Sequence, residues 1–391
     1  MTKPPASSRW FHESNVVVDE EVLPRPDLND LDTGVQVLRM TTYQFVNSHI
    51  YPESPISTPD GKRFFFVRSN PFSHQSAYWI GDIETLLIRQ VTDEPNAHTP
   101  VVTMDGKWFI YLAGRDVYRM SPDTFERHRV YTVPDEIGPL MMGIRSMSAC
   151  GRWAPITCQS QQGRRSCAVI DLDQQTTTIV WEHPDCVNPH EQYSKNSHRR
   201  ILIQVNDGVE HDAKGPLRRN IGENGGSLHV FNDDGSGHTI LPIGQSPLER
   251  VQGHQCWMGN RDEVISTTHR RGKVTEPWQQ RRIVAVKPGD SKYRIVCEGD
   301  VQSFTHIHTT SDGRYFVTDC NRTAKIYVGS TSTGKYKLFC SSGATFGSTP
   351  CTHPHPFFLG DDKTIGFNSD RTGLPHVYVA PIPDGFLDDL D

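Results

Sequence analysis

The chain has 391 residues, 35% of them apolar, and a net charge of -6. That length admits one large repeat fold or two ordinary domains. The acidic balance excludes the basic footprint of a nucleic-acid binder, and no apolar run approaches the ~20 residues that span a bilayer.

In chain order, residues 1–33 read as a lead-in. MTKPPASSRWFHES has neither an apolar stretch nor a small-residue cleavage site, so it does not read as a signal peptide. Four prolines and several acids predict a loosely ordered segment there. GVQVLRMTT, residues 34–42, then reads as a lone strand.

A phrase follows that recurs along the rest of the chain: a small polar residue, Asp-Gly, Lys or Arg, then an aromatic or β-branched run. It begins as STPDGKRFFFV at Ser57 and returns as VTMDGKWFIYL at Val102. Degenerate copies follow as MSACGRWAPIT at Met147, YSKNSHRRILI at Tyr193 and WMGNRDEVIST at Trp257. TTSDGRYFVTD at Thr309 and FLGDDKTIGFN at Phe358 complete a set of seven. Each copy leads into a second apolar strand, from SAYWIGD in the first to HVYVAPI in the last. Short strands, frequent turns and almost no helical periodicity indicate an all-β repeat protein. The spacing fits propeller blades of about four strands. The expected fold is a seven-bladed β-propeller over residues 34–391, closed by the 34–42 strand pairing with an incomplete last blade. Two stacked β domains are the alternative, and the even spacing argues against them. Residues 209–226 are expected to form a long loop on one face.

Nine cysteines, an odd number without a CxxC pair, predict a reduced and cytoplasmic chain. The 18 histidines are more telling, because several share a register. His98, His190 and His254 each lie seven residues before the turn position of their repeat. His306 lies six before Asp312, and His353 and His355 lie eight and six before Asp361. Glu53 occupies this register in the first blade, and Arg145 and Ser146 in the third. The stretch before the turn enters each blade from the central channel, so these side chains are expected to meet at one channel mouth. A lone histidine there carries no function. Five blades with histidines point to a metal or catalytic cluster, since neutral imidazole ligates Mn, Fe or Zn. In THPHP, residues 352–356, alternation aims His353 and His355 to one side, and the prolines stiffen the segment. His128, His183, His198, His211 and His269 fall outside the register and read as surface residues.

THPHPFFLGDDKTIGFNSDRTGLPHVYVA resembles the last blade of the oligogalacturonate lyases, with their HPHP motif, acidic turn and SDRxGxP strand pair. HIHTTSDGRYFVTDC, RVQGHQCW, PHEQYS and NDDGSGHTI resemble further segments of that family. The resemblance covers most of residues 185–382. It implies a seven-bladed propeller that holds a divalent ion, Mn²⁺ in kind, and cleaves uronate oligosaccharides by β-elimination. It further implies that His306, His353 and His355 are metal ligands and His254 the general base. Two positions depart from the family. Pro350 stands where the family has a glutamine ligand, so His190 or water is expected to fill that place. Ser227, with His229 two residues on, stands where the family has an arginine. Candidate substrate contacts are Arg145, Arg218, Arg219 and His98, with Arg270 a further one by location. His190 is the second candidate base. The expected partner is a short acidic oligosaccharide; no oligomeric state follows. Another metal-dependent carbohydrate enzyme, an epimerase or hydrolase, and a non-catalytic propeller that binds a protein remain alternatives. A serine peptidase is excluded, since there is no GxSxG.

Overall fold

A computed structural model describes residues 11–12, 33–41, 45–49, 51–54, 56–70, 76–94, 96–98, 100–159, 165–207, 210–211, 217–219, 225–244, 249–270, 281–298 and 303–391. Most of the expected lead-in lies outside the described residues.

The repeated phrase is a turn with a fixed hydrogen-bond pattern. Thr58, Thr103 and Thr310 donate through Oγ1 to the carboxylates of Asp60, Asp105 and Asp312 at 2.5, 2.6 and 2.8 Å. The same carboxylates accept the amides of Lys62, Lys107 and Arg314. Gly61, Gly106 and Gly313 take φ of 68–70°, which L side chains rarely adopt. In these three copies the Thr-x-Asp-Gly order holds the turn, while the third blade closes its turn with Ser148 and Gly151 instead, and the β-branched and aromatic run behind it continues as a strand.

Seven antiparallel sheets result, one per repeat. The second blade is typical: Val101–Val102 innermost, then Phe109–Ala113, Asp116–Met120 and Arg127–Thr132. The third blade has three strands, Trp153–Gln159, Arg165–Asp171 and Thr176–His183. Its inner edge is reduced to one bridge, Leu140 to Cys158. The last blade holds Phe357–Phe358, Thr364–Ser369 and His376–Pro381. Leu38–Arg39 pairs outside it, Leu38 opposite Val379 and Arg39 opposite Tyr378. The expected closure by an N-terminal strand is therefore present. It removes a free sheet edge and ties the ring shut.

Burial follows from this layering. Seven apolar clusters fill the gaps between successive blades. Phe65 and Phe109 join the first and second blades, for example, and Phe316 packs between the fifth and sixth. All nine cysteines are free thiols, and seven of them are buried in these layers. The expected 209–226 loop contains a small ribbon, Glu210–His211 against Leu217–Arg219. It leaves the fourth blade after Asp207, the end at which Gln204 bonds the carbonyl of Pro189.

Candidate metal centre and active site

His306 stands on the inner strand Phe304–Thr309 of the sixth blade and is buried. The pairing of that strand with Tyr315–Cys320 shifts between Phe304 and Ile307, a bulge that re-aims the side chain. Asp319 on the neighbouring strand holds it twice. Its Oδ1 accepts the His306 amide at 2.8 Å, and its Oδ2 accepts Nδ1–H at 2.7 Å. The Nε2 lone pair is thereby turned outward, the carboxylate–histidine arrangement that orients metal-ligating imidazoles. His254 reaches the same place through a similar irregularity. Glu249–Trp257 shifts register between Val251 and Gln255, with Gly253 at φ 89°. The rings of His254 and His306 lie 4.2 Å apart.

His353 and His355 come from the segment that follows the short turn Pro350–Thr352. His353 donates through Nε2 to the carbonyl of Gly347 at 2.9 Å, which leaves Nδ1 available. His355 adopts φ 46°, a left-handed conformation that a non-glycine residue holds only at a cost. The expected alternation of an extended segment is thus broken at His355, yet the two rings end 5.6 Å apart. His355 also lies 3.9 Å from His306. Burial, and then the imidazoles of His306, His49, His254 and His353, hold its pKa well below the ordinary histidine value. It is a neutral base with a lone pair to give. One ligand atom from each of His306, His353 and His355 lies within 4.8 Å of the others, the single such group among the described residues. Three neutral imidazoles with a carboxylate behind one of them fit a divalent transition metal.

Beside this triad opens a cavity of about 460 Å³, lined by His49, Tyr51, Arg145, Asn188, His190 and His355, with Pro350 at its wall. His190 is buried at φ 47°. Its Nδ1–H donates to Glu53 at 2.7 Å, and the Asn188 amide donates to its Nε2 at 2.9 Å. The Arg145 guanidinium lies 3.6 Å from the same Glu53 carboxylate. It also faces the charge of Glu191, which is fully buried and whose pKa burial raises. Tyr51 packs between His190 and His355, with ring centroids 5.0 and 4.8 Å away.

The register therefore brings His254, His306, His353 and His355 together and sets His190 across the cavity. His190 stands outside the three-histidine group. His98 is exposed and shares no ring contact with the cluster among the described residues. Arg218 and Arg219 lie on the ribbon, and their side chains, like that of Arg270, lie outside the described residues. Three participants escaped the sequence reading. Asp319 is an acid inside a strand of otherwise apolar and small residues, which is a usable signal. Tyr51 stands two residues before Glu53, at the start of a turn that the Ser54 amide closes on the Tyr51 carbonyl at 3.0 Å. His49, buried against Phe357 and bonded to the carbonyl of Pro354, carried none. His183 corrects the surface reading. It stacks on Trp181 at 5.6 Å and nears His229 at 5.8 Å, because the outer strand of the third blade packs against the fourth.

Fold and donor set together define a class: a seven-bladed propeller with three imidazoles gathered for a cation at one mouth of its channel. No family model matches the chain. It is 24% identical to an oligogalacturonate lyase of Dickeya dadantii, over 91% of this chain and 95% of that one. It is 21% identical, with the same coverage, to an oligogalacturonide lyase of Pectobacterium atrosepticum. Among solved structures it resembles an oligogalacturonate lyase in complex with manganese. The TM-score is 0.73 at 19% identity, over 92% of this chain and 96% of that one. The oligogalacturonate lyase of Vibrio parahaemolyticus matches with a TM-score of 0.71 at 18% identity, over 91% and 96%. The chain is a relative of the oligogalacturonate lyases, matched along nine-tenths of its length.

Proposed function

We propose that this protein is a metal-dependent lyase that cleaves short uronate oligosaccharides by β-elimination to a 4,5-unsaturated uronate. The observation that carries this reading is the His306, His353 and His355 donor set, with His254 beside it, in a chain related to oligogalacturonate lyases. The three histidines hold a divalent cation, Mn²⁺ by kinship with the manganese complex. When bound, it serves as a Lewis acid toward the uronate carboxylate, offsetting by several kcal/mol the charge that builds as C5 is deprotonated. Asp319 keeps the His306 proton on Nδ1. His254 removes the C5 proton, the work of a positioned imidazole. Arg145 receives the carboxylate of the substrate inside the cavity. Arg218 and Arg219 on the ribbon serve a further sugar, since the ribbon leaves the fourth blade at the end where Pro189 and His190 stand. His98 is left as an outlying contact. A short substrate suits a cytoplasmic enzyme.

Elimination creates a conjugated double bond that absorbs near 235 nm. Wild-type protein with Mn²⁺ and a galacturonate dimer or trimer should produce that absorbance, and excess chelator should stop it. His254→Ala should cut turnover at least 10²-fold and still bind metal. No rise in absorbance across a panel of uronate oligosaccharides would sink the lyase reading.

A further inference from the structure

β-Elimination moves two protons. One leaves C5, and a second must reach the oxygen that departs from C4. The base accounts for the first alone. His190 has both ring nitrogens engaged, Nδ1 by Glu53 and Nε2 by Asn188. Arg145 sits against Glu53, and a guanidinium does not surrender a proton.

Tyr51 remains. It is half-buried and lines the cavity. Its ring is wedged against His355 and His190 and meets His306 edge-on at 6.3 Å, which fixes where the phenol stands. Among the described residues its hydroxyl has no hydrogen-bond partner. A tyrosine packed this closely ordinarily finds one. A phenol held rigidly in a polar cavity without a protein acceptor is ready for an oxygen of a bound molecule. Its position also suits the task. The rings run His254, His306, His355, Tyr51, with neighbouring centroids 4.2, 3.9 and 4.8 Å apart. The base and the phenol thus stand at the two ends of this run of rings, next to two members of the three-histidine group.

We propose that Tyr51 is the catalytic acid that protonates the departing C4 oxygen, a role that rests on the lyase reading. In the balanced step, His254 takes the C5 proton and the C5–H electron pair becomes the C4–C5 double bond. The C4–O bond breaks, and its electron pair takes the Tyr51 proton to give a free hydroxyl. His254 then loses its proton to solvent and the phenolate regains one.

The test uses the Mn²⁺-loaded enzyme and two substrates. One is a galacturonate dimer, whose leaving alkoxide needs a proton. The other is a uronate with a 4-nitrophenyl group on O4, which departs as a phenolate unaided. Tyr51→Phe should lower kcat on the dimer about 10²- to 10⁴-fold. KM, metal content by elemental analysis and the aryl substrate's rate should stay within a few-fold. In D₂O the variant should wash deuterium into C5 of unreacted dimer, because His254 still works. His254→Ala should lose both substrates. Equal losses of Tyr51→Phe on the two substrates, or undiminished turnover of the dimer, would overturn the acid role and leave the lyase standing. Absence of elimination from either substrate by wild-type enzyme overturns the lyase reading and this role with it.

Discussion

The fourth and seventh blades carry the same short device at the mouth of the channel. Asn188, Pro189 and His190 form it in one, and His353, Pro354 and His355 in the other. Both second histidines adopt a left-handed φ, 47° and 46°. Both proline carbonyls accept a middle-strand amide, from Gln204 at 2.7 Å and from Asn368 at 2.8 Å. The backbone solution is one, repeated three blades apart. The surroundings differ. The His355 ring lies within 6.1 Å of the rings of His49, His306 and His353, whereas the nitrogens of His190 meet a carboxylate and an amide. A repeat therefore delivers a side chain to the channel, and the neighbouring blades decide what chemistry it joins.

The largest effect should separate these two histidines. His355→Ala removes one of the three proposed ligands and should weaken Mn²⁺ binding by at least 10²-fold, with turnover lost. His190→Ala should leave Mn²⁺ affinity, measured by titration calorimetry, within a few-fold of wild type. Equal loss of metal in both variants would break the distinction. The carboxylates behind the histidines sharpen it at smaller amplitude. Asp319→Asn should weaken Mn²⁺ binding about 10- to 100-fold, because the hydrogen bond that turns Nε2 outward is degraded. Glu53→Gln, behind His190, should barely change it.

The smallest expected effect concerns a similarity of the two blades. Each buries a neutral histidine away from the site: His229 in the fourth and His376 in the seventh, both with pKa pushed down to about 3, first by burial. The unfolded chain protonates these groups near 6.5, so below that pH it binds more protons than the folded one. Their stabilising effect is complete above about 6.5 and is lost as pH falls toward 3. The loss is on the order of 1 kcal/mol per pH unit for each. Melting temperatures of the metal-free protein between pH 7 and 4 should fall, and His376→Gln should flatten that slope. An unchanged slope would show that His376 is protonated in the folded state.

Much of the site was legible because the fold is a repeat. Once seven turns are aligned, the distance from each turn back to the channel is a count along one strand. His254, His306, His353 and His355 needed nothing more. His98 obeys the same count and stands apart, for the count carries no information about the direction of a side chain. His183 misled in the opposite sense. Nothing local shows that an outer strand of one blade will press its histidine onto the next.

The sequence by itself determined the number of blades, the repeated turn between the first two strands of each, and the closure by residues near Leu38. Those features depend on contacts within a repeat or on strand pattern alone. Tertiary structure decided which histidines meet and which stay apart, because that rests on two bulged inner strands and a left-handed residue at His355. It also supplied Tyr51, whose partners lie more than a hundred residues away in the chain. Closing the ring sets such distant segments against one another, and pairings of that range leave no periodic trace in the sequence.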